Sequence, residues 1–132
     1  MSYAAVAAGK KILMIVADFS EEYEVHPATV SLSVLGHLVH IVSPGKKTGE
    51  KVTLAVHDME KGMQSLSQKP GHSQLLNVSF EDVKEAEYDG LYIPGGRGAE
   101  FLKCNPRVQE ICSYFLSNAK PIACVCYGVN IL

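Results

Sequence analysis

At 132 residues and 14.3 kDa the chain has the length of one domain, and 47% hydrophobic against 20% charged residues excludes intrinsic disorder. A formal net charge of -2 and a pI near 6.2, with lysine pairs only at Lys10-Lys11 and Lys46-Lys47, exclude a basic field for nucleic acid. No apolar run reaches the roughly 20 residues that span a bilayer, and in "MSYAAVAAGKK" the charges follow the short apolar stretch, the reverse of a secretory signal. A cytoplasmic protein is expected, a nuclear location being compatible, with Cys104, Cys112, Cys124 and Cys126 as free thiols.

Residues 1–10 are set apart as a flexible N-terminus and residues 11–132 as a single domain. "KILMIVA" (residues 11–17) is a continuous apolar run with β-branched residues, the pattern of a strand buried on both faces of a parallel sheet. Pro27 reads as the first position of a helix that "PATVSLSVLG" continues to Gly36, and "HLVHIVSP" follows as a second strand. That order implies a parallel β-α-β unit. "KVTLAVHDM" has strand character, whereas "EKGMQSLSQKPGHSQ" is polar with Gly and Pro breakers, so this part is expected to be an excursion of hairpin and loops. Ser79, with Asp82 after it, predicts a capped short helix over "FEDVKEAE" that stops near Asp89-Gly90. "GLYIPGG" predicts a strand and a turn. Asn105-Pro106 opens a stronger helix whose Val108, Ile111, Cys112, Phe115 and Leu116 share one face, and "PIACV" is the last strand.

In open parallel sheets ligands bind beyond the carboxyl ends of the strands, which singles out "DFSEEYEV", "PGGRGAE" and Cys126-Tyr127-Gly128. A nucleophile on a sharp strand-to-helix turn needs small neighbours, in the pattern Gly-x-nucleophile-x-Gly. Cys126 with Gly128 supplies the second half, and Cys124 stands where the first glycine belongs. A buried structural thiol is the commoner use of a lone cysteine at a strand end, and Cys124 is assigned to it. A metal site at the Cys-x-Cys pair is disfavoured, because no second Cys/His pair at zinc spacing accompanies it. Glu21, Glu22 and Glu24 fit either a solvated acidic run at a helix start or a carboxyl aimed into the crevice. Gly95-Gly96 fits either a tight turn or a bare backbone that offers N–H groups to an oxyanion.

"DFSEEYEV", "GKKTGEKVTLAVHD", "GHSQLLNVSFEDV", "YDGLYIPGGR" and "KPIACVCYGVNIL" together resemble the ThiJ/PfpI superfamily, closest to its plant-type branch related to the Parkinsonism-associated deglycase. The resemblance implies an α/β fold: a flavodoxin-like (class I glutamine amidotransferase-like) sandwich with a mainly parallel sheet, of which the C-terminal part is missing here. It also implies Cys126 as the elbow cysteine, Glu24 as the carboxyl hydrogen-bonded to that thiol, and Gly95, Gly96 and Arg97 as the oxyanion and substrate-binding segment. This branch usually has His after the cysteine, where this chain has Tyr127.

The activity so implied is a glutathione-independent glyoxalase of the glyoxalase III type, or a deglycase, acting on methylglyoxal or glyoxal as a small dicarbonyl substrate. Cys126 adds to the aldehyde and Glu24 moves a proton between the two carbons through an enediol. Neither metal nor organic cofactor is expected, and the resemblance suggests a homodimer or a pseudo-dimer of domains. Neutral Glu24 donates a hydrogen bond to a thiolate, whereas ionised Glu24 repels it. Tyr127 and the short C-terminus are expected to impair turnover. The alternative is a non-catalytic, redox-sensing or chaperone-like stress-response member in which Cys126 is oxidised. A glutamine amidotransferase-like domain ranks last, since it wants a downstream His and Glu absent here.

Overall fold

The computed structural model describes residues 9–132, so the N-terminus expected to be flexible lies mostly outside the described residues. The chain runs β1 (Lys11–Ile15), α1 (Glu22–Val34), β2 (Leu38–Val42), β3 (Lys51–Asp58), β4 (Ser67–Leu75), β5 (Gly90–Ile93), α2 (Gly98–Lys103), α3 (Pro106–Ser117) and β6 (Ile122–Cys124), then a 3-10 turn, Cys126–Ile131. Four strands form a parallel sheet in the order β2-β1-β5-β6, and β3 and β4 form a separate antiparallel hairpin.

The unbroken apolar run of β1 follows from burial on both faces. Leu13 and Ile15 pack with Leu91, Ile93 and the α3 residues Val108, Ile111 and Phe115. Met14 and Val16 pack on the other face with Val25 of α1, Val39, Ile41, and Val52 and Leu54 of the hairpin. The sheet is thus sandwiched between α3 on one side and α1 with the hairpin on the other, the expected α/β arrangement with a mainly parallel sheet.

Several boundaries differ from the sequence reading. Helix α1 begins at Glu22, not Pro27, because the Glu21 side chain caps it, accepting the Tyr23 N–H at 3.1 Å. Glu22 and Glu24 then sit in the first turn, where negative charge complements the helix dipole. Pro27 lies inside the helix, exposed, where it removes one internal hydrogen bond. The expected helix over residues 80–87 is two separate 3-10 turns, Phe80–Asp82 and Glu85–Glu87. Ser79 makes no capping bond there, its Oγ accepting instead from the Thr48 N–H at 3.1 Å. Helix α2 was not expected at all. Asn105 caps α3 as anticipated, its Oδ1 accepting the Val108 N–H at 3.2 Å, but Leu116 faces solvent instead of the core.

Candidate active site

The elbow is built at the end of β6. The Val125 N–H donates to the Ile93 carbonyl (3.1 Å) and holds the chain against β5, after which Cys126 takes a left-handed conformation with φ 51°. That conformation is strained for a residue with a side chain and turns the exposed thiol away from the sheet. A hydrogen bond from the Gly128 N–H to the Val125 carbonyl (2.9 Å) closes the turn. Any Cβ on residue 128 would stand 2.5 Å from the Ile93 carbonyl oxygen, so the close crossing over β5 admits only glycine. Cys124, in the place of the other elbow glycine, is half-buried and burial raises its thiol; burial pushes Cys112 up to about 11. Cys104 and Cys126 are the exposed thiols.

Glu24 reaches the elbow from the first turn of α1. Its Oε2 accepts the Gly95 N–H at 2.6 Å, and Tyr92 Oη donates to the Glu24 carbonyl at 2.8 Å. A Cβ on Gly95 would lie 2.8 Å from Cys126 Cβ and 2.9 Å from Glu24 Oε2, so the bare glycine is what lets three chain segments converge. Burial pushes the Glu24 carboxyl above its ordinary range and the charge of Glu21 adds to the rise, while the Gly95 N–H and a hydrogen bond with the Cys126 thiol oppose it. The net effect favours the neutral acid.

Gly96 follows with φ 76°, in contact with the Phe19–Glu21 backbone, where a Cβ would stand 2.5 Å from the Glu21 nitrogen. Its N–H makes no hydrogen bond among the described residues. Gly95 and Gly96 therefore differ from the paired expectation: the Gly95 N–H is engaged by Glu24, leaving Gly96 as the available donor. Cys126, Glu24, Gly96, Arg97 and Tyr127 line one cavity of about 450 Å³, with Gly95 behind its wall. No group of three His, Cys, Asp or Glu side chains among the described residues is placed to hold a metal ion.

The sequence reading missed His57 and assigned no role to Glu21, and both line the same cavity. Of the two readings left open for Glu21, a solvated acidic run or a carboxyl in the crevice, its 6% exposure fits the second. Its Oε2 accepts the His57 N–H at 2.9 Å and faces His57 Nδ1 at 2.5 Å. Strict alternation along β3 puts His57 outward, with Lys51 and Thr53. The irregularity between Thr53 and Ala55 puts its extra residue on β4, between Ser73 and Pro70, so the alternation along β3 is kept. Ala55 and His57 lie on the face opposite Val52 and Leu54 and are covered there by the segment before α1, which hydrogen bonds from Ala55 to the Ser20 carbonyl (2.9 Å) and from Phe19 to the Thr53 carbonyl (2.7 Å) lay against β3.

Residues 10–132 match the DJ-1/PfpI family. The chain belongs to the DJ-1/PfpI family. Among DJ-1/PfpI relatives it is 43% identical to Protein DJ-1 homolog D of Arabidopsis thaliana, over 95% of this chain and 32% of that protein. It is 31% identical to Deglycase PfpI of Pyrococcus furiosus, over 92% of this chain and 63% of the relative. The structure superposes on that of Drosophila melanogaster DJ-1beta with a TM-score of 0.75 at 22% identity, covering 94% of this chain and 59% of the other. The chain thus spans about a third of the plant relative's length and under two thirds of the others'.

Proposed function

We propose that this DJ-1/PfpI chain converts methylglyoxal or glyoxal to the corresponding hydroxy acid without glutathione, through a hemithioacetal on Cys126. The observation that carries this reading is the Glu24 carboxyl, raised in proton affinity by burial, held by the Gly95 N–H and lining the same cavity as the Cys126 thiol. As the Cys126 thiolate adds to the aldehyde carbon, neutral Glu24 gives its proton to the carbonyl oxygen and becomes a carboxylate. That carboxylate takes the hydrogen from the same carbon and returns it to the neighbouring carbon through an enediol, leaving a thioester. Water displaces the thiol, releasing lactate or glycolate, and the Gly96 N–H is available to the developing oxyanion. The name "Deglycase" carried by the Pyrococcus relatives is consistent with thiol chemistry on dicarbonyls or their adducts. Tyr127 limits the rate, since a phenol holds its proton near neutrality and an imidazole does not. A homodimer or pseudo-dimer is proposed as the working assembly.

The test is lactate formation from methylglyoxal by the 132-residue chain without glutathione, beside Cys126→Ser. Slow turnover that requires Cys126 is expected. Equal rates for the two proteins, or none from either, overturn the proposal. A second reading, a redox sensor, is favoured by the exposure of Cys126 in its strained turn. It predicts that peroxide converts Cys126 to the sulfinic acid before Cys104, as mass spectrometry of peptides would show.

A further inference from the structure

The proposed reaction moves two protons: one from carbon to carbon, the other from the hemithioacetal hydroxyl to the neighbouring oxygen. Glu24 serves the first, and Tyr127, the residue after the nucleophile, is a poor carrier for the second. His57 lies in the same cavity wall, on the face of β3 that meets the Phe19–Glu21 segment. Its partner Glu21 holds three donors: the Tyr23 N–H on Oε1 (3.1 Å), and the His57 N–H (2.9 Å) and Nδ1 (2.5 Å) on Oε2. A carboxylate on Nδ1 keeps the proton there and leaves the lone pair on Nε2, the carboxylate–histidine arrangement that orients an imidazole for proton transfer. Among the described residues the one polar contact of Nε2 is Gln68 Oε1 at 3.4 Å, and with the proton on Nδ1 these two acceptors form no hydrogen bond. So the basic nitrogen is oriented but not occupied.

We propose that His57, oriented by Glu21, is the second proton carrier of this site. It takes the proton from the hydroxyl on the sulfur-bearing carbon and delivers it to the oxygen of the adjacent carbon, while Glu24 carries the carbon-bound hydrogen. In hydrolysis His57 takes a proton from the attacking water, the carbon–sulfur bond breaks to release the Cys126 thiolate, and the His57 proton passes to the Glu24 carboxylate as the product acid ionises to solvent, which restores the starting state. Glu21 is the positioning residue. The titratable groups that share the cavity with His57 are Glu21, Tyr23 and Glu24 from the start of α1, Arg97 from the loop before α2, and Cys126 and Tyr127 from the elbow; Gln68 on β4 is its uncharged neighbour.

This inference rests on the function proposed above, and the test separates the two. His57→Asn keeps a donor for Glu21 at the Nδ1 position but has no group that titrates, so folding and the alkylation rate of Cys126 are expected to persist. Turnover should fall by about 10²-fold, with the limb of the pH–rate profile that belongs to an imidazole lost. In His57→Ala, added imidazole should restore part of the rate. Combined with Tyr127→His, which supplies another imidazole, His57→Asn should cost much less than alone. Turnover within about threefold of the unmodified chain and an unchanged pH profile overturn the role of His57 while leaving Cys126 chemistry intact. Absence of any Cys126-dependent turnover overturns both.

Discussion

Glu24 is the residue on which the site turns, because it is held near a thiol in a place that penalises its charge. Its folded-state proton affinity is raised by burial first, so folding shifts the carboxyl toward its neutral form and penalises its charge. A carboxyl raised in this way contributes stability that is fully present below the ordinary value of 4.5 and is lost as the pH rises through the higher folded value. Glu24→Gln should therefore raise the melting temperature at neutral pH, since the amide oxygen still accepts the Gly95 N–H and no charge is buried. The advantage should shrink as the pH falls through the raised folded value and be gone below 4.5. A thermal scan across pH 4 to 8 measures this, and a lower melting temperature for the variant at pH 7 would count against an unfavourable charge at this position. The same substitution removes the carbon-proton carrier, so stability and turnover should move in opposite directions, a trade-off common at strained sites.

At the scale of elements, the connections that shape the site are polar as well as apolar. Arg107, in the first turn of α3, donates to both oxygens of Glu85 (2.9 and 2.6 Å) and to the Val83 carbonyl (3.2 Å), tying α3 to the 3-10 turns that precede β5. This bond holds the Glu85 carboxyl below its usual range. The contribution is present above the usual carboxylate value and is lost as the pH falls through the depressed one. Glu85→Gln is expected to cost about 0.5–1 kcal/mol at pH 7, a figure discounted for the partial exposure of Arg107. The cost should vanish in acid, which chemical denaturation at two pH values would show. A pH-independent difference would place the effect in packing. On the opposite side, Glu22 accepts the His72 N–H at 2.5 Å and faces its Nδ1 at 2.8 Å, fastening β4 to α1 just outside the cavity. The hairpin is held at both α1 carboxylates, Glu21 and Glu22, and this is how a peripheral pair of strands becomes a wall of the site.

The whole molecule leaves one edge of its sheet open. Strand β6 pairs only with β5, and Val125, Tyr127, Val129 and Leu132 around it are exposed. Strand β1, by contrast, is covered on both faces. Association is therefore expected through the β6 edge, where unpaired backbone groups and apolar side chains coincide. Sedimentation velocity over a hundredfold concentration range should show mass increasing with concentration. A monomer at every concentration would mean that this edge is adequately shielded by its own twist and the 3-10 turn.

The parallel sheet, its buried first strand and the α3 cap were legible in the sequence, because apolar periodicity and capping residues are local signals. The family motifs added the roles expected of Cys126 and Glu24, which no spacing argument supplied. What the sequence concealed has a common cause. Helix α1 starts at Glu22 because the Glu21 side chain caps it, and the same carboxyl reaches His57, 36 residues away, a contact that no local pattern announces. His57 sits on the face of β3 that alternation assigns to solvent, and it is covered only because the segment before α1 pairs with β3 there. Gly95 and Gly96 read alike in the sequence, and only the position of Glu24 decides which N–H is free. Periodicity determines which elements form and which faces they bury. Which polar atoms meet, and so which groups are available for chemistry, depends on contacts between distant segments that exist only once the chain has closed on itself.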